Sequence, residues 1–361
     1  MTSNQKSSKA GVGIVLPGGG ARGAYQAGSA LFIAEHLSAT KTAVAAIAGS
    51  SVGSLNGAVL ASAPDFLQGA KNLVELWRAI GNLPSSELEI FRTLPSIELG
   101  ALLSLLFAAG ESTSIDYLIQ EMGQMANGSG KGSLAWDVMR FLDFQPGIKI
   151  NPKLQDILGS AMSANSFHTG IPFYVSVYPT RGALNDGARF LLASVSSIDT
   201  ASSRLIHVQS LPDEDKRDAI LASAAIPFIF DAKYVQGRMF SDGSLGDWRY
   251  ERGKVPAQDL CERQKLSTLY ILHCSDGSLW DRRRYTLPPT IEIRPSQVIG
   301  SGPPLDSLFF TDVETIENRL VQGYEDARRS IQSVAAIIES FDAIKSAKQA
   351  VTDSLDDLKN S

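Results

Sequence analysis

The stretch Gly11-Val-Gly-Ile-Val-Leu-Pro-Gly-Gly-Gly-Ala-Arg-Gly-Ala-Tyr-Gln-Ala-Gly28 passes from an apolar run through a proline and three glycines into helix-forming sequence. Its first half predicts a buried strand over residues 12–16, and its second half a helix from about residue 23 to 37. A second apolar run, residues 44–48, leads into Gly49-Ser-Ser-Val-Gly53 and another helical stretch to about residue 63. Strand, glycine loop, helix, strand, tight turn, helix is the opening of a parallel sheet covered by helices.

Residues 64–166 read mostly as helix, broken by Pro84-Ser85-Ser86 and by Asn127-Gly-Ser-Gly-Lys-Gly-Ser133, and are expected as a helical insertion or cap. Strand-like runs return at residues 172–178 and 190–194, followed by a short helix at about 216–225 and β-rich sequence over 228–240. Further strands are expected at 268–273 and 290–294, one long amphipathic helix at 312–348, and a frayed tail at 349–361. At roughly 150 residues per domain the length would allow two domains. The pattern favours a single α/β unit over residues 11–348 behind a flexible N-terminus, residues 1–10.

With 44% hydrophobic and 20% charged residues, the chain is neither disordered nor a collagen-like or disulfide-built scaffold. Its net charge of −5 argues against a nucleic-acid binder. Two cysteines, Cys261 and Cys274, fit a reducing compartment. The apolar run before Pro17 is too short for a signal-peptide core. The most apolar segment, IELGALLSLLFAAG at residues 97–110, falls short of the about 20 residues a bilayer-spanning helix needs. It reads as a core helix, or, over residues 97–107, as a lid or membrane-facing patch. A cytoplasmic chain with at most peripheral membrane contact is the expectation.

The loop Gly18-Gly-Gly-Ala-Arg-Gly23 has three readings. It fits the dinucleotide pattern G-x-G-x-x-G, but the second strand ends Ala48-Gly49-Ser50 without the required carboxylate. A Walker phosphate loop fails because no Gly-Lys-Ser/Thr follows at the required spacing. As an oxyanion hole, the glycines would turn their amides outward beside the positive end of a helix. One unit downstream, Gly49-Ser-Ser-Val-Gly53 fits G-x-S-x-G between a strand and a helix, a sharp turn that would leave Ser51 exposed. Two adjacent strand-to-helix turns of a parallel sheet open on the same edge, so loop and serine can meet one carbonyl.

A serine hydroxyl needs a neighbouring base. Of the four histidines, His36 lies far along the first helix, His168 in a Ser/Thr/Gly-rich turn, and His207 in Leu205-Ile-His-Val208. Only His273, at the end of a strand, has a catalytic kind of position, with Asp242 as the third member of a triad. The alternative is a carboxylate acting directly: Asp242-Gly243 follows the run Arg238-Met-Phe-Ser241. Asp276-Gly277 repeats the dipeptide as an ordinary turn signal. No Cys/His cluster and no carboxylate-rich calcium loop is present in the sequence, so neither metal nor organic cofactor is expected.

Together these residues resemble the patatin-like phospholipase family. The resemblance rests on Leu16-Pro-Gly-Gly-Gly-Ala-Arg-Gly-Ala-Tyr-Gln-Ala-Gly28, Gly49-Ser-Ser-Val-Gly53, Ala222-Ser-Ala-Ala-Ile-Pro-Phe228 and Asp242-Gly243, in the family's order over about residues 11–275. It implies a three-layer α/β/α fold with a mostly parallel central sheet, and a phospholipase A-type acyl hydrolase using a Ser–Asp dyad without histidine. Ser51 would be the nucleophile, Asp242 the general base, and Gly18, Gly19 and Gly20 the oxyanion donors. Arg22, Gly23, Gly49, Gly53 and Gly243 would complete the motifs. The implied substrate is a phospholipid or another lipid ester.

Two departures stand out: Ser244 where Gly or Ala is usual, and Ser50 where Thr is frequent. The sequence after Asp242 is also lengthened by Trp248-Arg-Tyr-Glu-Arg-Gly253. Arg282-Arg283-Arg284 offers either a contact to anionic headgroups or a solvated loop. Rival readings are a Ser-His-Asp esterase built on His273, a non-catalytic lipid- or protein-binding member of the fold, and a nucleotide-binding protein using residues 18–23.

Overall fold

The structure, a computed structural model, describes residues 11–82, 170–182, 199–227, 230–299 and 312–360, together with Asp186, Arg189 and Ala193. The N-terminal half supplies β1 (Val12–Leu16), α1 (Gly23–Ala39), β2 (Val44–Ser50), α2 (Val52–Ser62) and α3 (Phe66–Gly81). After residue 170 come β3 (Phe173–Pro179), β4 (Arg204–His207), α4 (Asp213–Ser223), β5 (Lys233–Val235) and β6 (Arg238–Asp242). The chain continues through α5 (Ala257–Arg263), β7 (Thr268–Leu272), β8 (Thr290–Ile293) and α6 (Val313–Asn360).

The sheet runs β5-β6-β3-β2-β1-β7-β8, with β4 also pairing β3. The pairs β1–β2, β2–β3, β1–β7 and β7–β8 are parallel, and the pairs that β4, β5 and β6 make are antiparallel. Successive side chains of a strand point to opposite faces, and the central strands use both. Ile14, Leu16, Ile47, Phe173, Val175 and Leu272 enter the larger core with α1, α2, α3, α4 and α6. Val15, Ala46, Ala48, Tyr174, Leu269 and Ile271 enter a second core with Ala257 and Leu260 of α5. Helices therefore cover both faces of a mostly parallel sheet, the expected architecture.

Other expectations shift. Of the segment expected as an insertion, residues 66–81 are α3, an amphipathic helix that buries Leu73, Val74 and Trp77 in the main core. The remainder to residue 166, including 97–107, and His168 lie outside the described residues. Ala193, the described residue within the expected strand 190–194, is helical, as are Asp186 and Arg189. Residues 349–360, expected as a frayed tail, continue α6 as helix.

α6 packs along α1 by close approach of backbones. A side chain on Gly28 would collide with the Leu320 carbonyl, and one on Gly323 with the Tyr25 carbonyl. Ser29 Oγ donates to Gly323 O at 3.0 Å, and Tyr25 OH to Asp326 Oδ2 at 3.2 Å. The first half of α6 is thus part of the core, locked in register against the helix that follows the glycine loop.

Candidate active site

Ser51 sits between the last residue of β2 and the first of α2, with φ 53° and ψ −128°. This is left-handed backbone, which a residue with a Cβ adopts only when its surroundings hold it there. The holding groups come from the end of α4. The Ser51 N–H donates to Ser223 O at 3.1 Å and to Ser223 Oγ at 3.2 Å. Ser223 Oγ donates in turn to Ser176 O at 2.5 Å and meets Ser54 Oγ at 2.6 Å. A side chain on Gly49 would strike the Gly53 backbone, and one on Gly53 the Leu16 backbone at the end of β1.

Asp242 ends β6 opposite Val177 of β3, two strands from Ser51, and both residues are buried. Its N–H donates to Ala225 O at 3.0 Å, so α4 and the loop after it brace both residues. One carboxylate oxygen, Oδ1, accepts the Ser244 N–H at 2.8 Å. The other, Oδ2, is buried and makes no full hydrogen bond among the described residues. The Ser51 hydroxyl is near enough to pull the carboxyl's pKa down without reaching bonding geometry. Burial dominates and pushes the group up to about 6, against the Ser244 hydrogen bond and the nearby Ser51 hydroxyl. Ser244, one of the departures, also meets Ser50 Oγ at 3.2 Å. Ser244 thereby links the Asp242 carboxylate to the end of β2. Gly243 packs against the Ser176 carbonyl with no room for a side chain.

The glycine loop closes the constellation. A side chain on Gly18 would run into Ser244 Oγ and come within 3.1 Å of Ser51 Cβ, which places the loop directly over the serine turn. The Gly18 N–H donates to Lys254 O at 3.4 Å, and the Arg22 N–H to Gly19 O at 3.3 Å. Neither bond uses the amides of Gly19 or Gly20. Gly20 has φ +57°, and Gly23 starts α1 against Val52 and Trp77. Gln26, fully buried, donates to Pro17 O at 2.7 Å and to Leu272 O at 3.0 Å, tying the loop to the ends of β1 and β7.

The described histidines lie apart from this group. His273 is buried with Nε2 3.2 Å from Glu292 Oε2 and its ring against Trp280. Burial holds its pKa down, opposed by the Glu292 hydrogen bond. His207 stacks on Tyr174, and His36 on Phe32 near the end of α1. Arg282, Arg283 and Arg284 are engaged within the chain, by Thr290 O, Asp281 and the Tyr250 ring respectively. An open groove of about 700 Å³ lined by Arg204, Phe240, Arg263 and their neighbours includes neither Ser51 nor Asp242. Among the described residues no three His, Cys, Asp or Glu side chains gather as a metal site would need.

Sequence reasoning missed two residues. Ser223 belongs to Ala222-Ser-Ala-Ala-Ile-Pro-Phe228, whose place in the order of motifs was visible but not its bonds to Ser51. Arg319 of α6 is buried and donates from Nη1 to Ala21 O at 3.0 Å. The available signal was a cation on the apolar face that Ile316, Leu320 and Ala327 define.

No curated protein matches the chain in sequence. Among solved structures, VipD from Legionella pneumophila aligns over 90% of this chain and 67% of its own, with TM-score 0.40 and 13% identity. The type III effector protein ExoU aligns over 90% of this chain, with TM-score 0.37 and 16% identity. The chain spans about half the length of ExoU, 53%. Residues 14–247 match the patatin-like phospholipase family, a stretch that carries the glycine loop, the serine turn and the Asp-Gly pair, and the chain belongs to that family.

Proposed function

We propose that this protein is a lipid acyl hydrolase of phospholipase A type, working through Ser51 and Asp242. The observation that carries the reading is the state of Asp242. One oxygen is fixed by the Ser244 N–H, and the other is buried without a full hydrogen bond, near the hydroxyl of a serine in strained backbone. A carboxyl pushed up to about 6 is a stronger base than a solvated one, yet it is ionised at neutral pH.

Asp242 takes the Ser51 proton as Oγ attacks the ester carbonyl. The Gly19 and Gly20 amides, with the N-terminus of α1 behind them, receive the developing oxyanion. The tetrahedral intermediate collapses, the C–O bond to the alcohol breaks, and Asp242 returns the proton to the departing alkoxide. Water then gives a proton to Asp242 and attacks the acyl-serine, which releases the fatty acid and restores the Ser51 hydroxyl. His273 does not fit the base role, because its Nε2 is taken by Glu292.

The test pairs covalent labelling with product analysis. A fluorophosphonate probe should label the wild type and not Ser51→Ala. Mixed phospholipid vesicles should release fatty acid with the wild type and not with Ser51→Ala or Asp242→Asn. Fatty-acid release that survives Asp242→Asn and disappears in His273→Ala would replace Asp242 by His273 as the base. Failure of the wild type to label or to release fatty acid would favour a non-catalytic member of the fold.

A further inference from the structure

Lys216 and Arg319 are the lysine and arginine side chains buried among the described residues. Lys216 has its counter-charge, Asp213 at 2.6 Å. Arg319 has none within ion-pair distance among the described residues: Nη1 donates to the Ala21 carbonyl, and Asp312 acts on it only through space. The largest charged influence on it is a like charge, Arg22, whose Nε donates to Gly19 O at 3.2 Å and which likewise has no carboxylate partner among the described residues. Both guanidinium groups act on the thiol of Cys274, which lies against Gly19. Burial and the Arg22 charge bring Arg319 down to about 10. A buried cation without a partner costs several kcal/mol, and a second cation beside it adds to the cost.

The surroundings suit an anion. α1 begins here with no side-chain cap; the Gly23 N–H donates to Gly20 O, and the positive end of the helix faces the same place. Arg22 is only half-buried, which leaves an approach from solvent. The Ser51 turn lies at the other end of the same glycine loop, and the phosphate of a glycerophospholipid is a few bonds from its ester carbonyls.

We infer that Arg319 and Arg22 form a paired-arginine subsite that receives the phosphodiester of a phospholipid while Ser51 faces an ester of the same molecule. This rests on the hydrolase reading for the ester, but the subsite itself is a binding claim. Arg319 lies beyond the family match at residues 14–247, so the C-terminal helix would complete the substrate site from outside that segment.

The experiment compares the wild type with Arg319→Met on dihexanoyl phosphatidylglycerol and on a neutral nitrophenyl hexanoate. The ratio of kcat/KM for phospholipid over neutral ester should fall roughly tenfold, through KM, as expected for loss of a charge-assisted contact. Arg319→Lys should recover part of it. Arg319→Met should melt no lower than wild type, since it removes a buried unpaired charge. Equal losses on both esters with a lower melting temperature would make Arg319 a strut and overturn the proposal. If Arg319→Met does not fold, Arg22→Met is read by the same ratio.

Calorimetric binding of dihexanoyl phosphatidylglycerol to Ser51→Ala, and its weakening in Ser51→Ala with Arg319→Met, tests the subsite even if the hydrolase reading fails. Unweakened binding would count against it. Glycerol phosphate binding as tightly as the lipid would assign the subsite to a soluble phosphate ester and overturn the lipid source.

Discussion

Asp242 carries opposed demands of stability and chemistry. An aspartyl side chain titrates near 4 in an unfolded chain, and burial places it at about 6 in the fold. Between those values the folded state binds more protons, so the protein loses stability as pH rises from about 4 to about 6. Above that range the buried charge costs up to about 3 kcal/mol. Asp242→Asn should therefore melt higher than wild type at pH 8, with the advantage gone near pH 4. A lower melting temperature at pH 8 would contradict the burial argument. Hydrolysis has the reverse dependence: kcat/KM should fall as the base is protonated below about pH 6. Ser51 carries a second strain, since its φ of 53° suits glycine. Ser51→Gly should gain about 1–3 kcal/mol over Ser51→Ala in urea denaturation, both being inactive. Equal stabilities would mean that the turn is unstrained.

Among the elements, α1 and α6 depend most on each other, through Gly28 and Gly323 and the Ser29 and Tyr25 hydrogen bonds. Gly323→Val should force the helices apart. A loss of several kcal/mol in urea denaturation is expected, together with reduced fatty-acid release, because Arg319 would withdraw from Ala21. A stability change below about 0.5 kcal/mol, the range of ordinary surface substitutions, would show that the crossing is slack. Elements whose cues are local were legible in the sequence: β1, β2, β7 and β8 as apolar runs, and the two turns as glycine spacings. β4 has only four residues, with Leu205 and Ile206 as its aliphatic pair, too few to establish alternation. The periodicity of α3 announced a helix but not that it packs in the core instead of over it. Ser223 and Arg319 act across 172 and 298 residues of sequence, where no local pattern points.

For the whole molecule, the family segment does not contain the whole sheet. It ends at residue 247, while β1, at the middle of the sheet, pairs on one side with β7. Beyond it, α6 buries Ile316, Leu320 and Ile331 in the main core. At about 1.5–3 kcal/mol for each such side chain, they rival a total stability of about 5–15 kcal/mol. A chain ending at residue 299 should lack a cooperative melting transition and near-ultraviolet circular dichroism. A sharp transition from it would show that α6 is dispensable.

The same topology bears on synthesis. β7 leaves the ribosome some 250 residues after its partner β1, with the guanidinium that reaches Ala21 later still. Pairings of such long sequence separation form late, so the serine turn and glycine loop exist as sequence well before their surroundings are fixed. A growing chain should have no competent ester-cleaving centre until α6 has docked. An enzyme directed at lipid would then be latent for as long as it is being made.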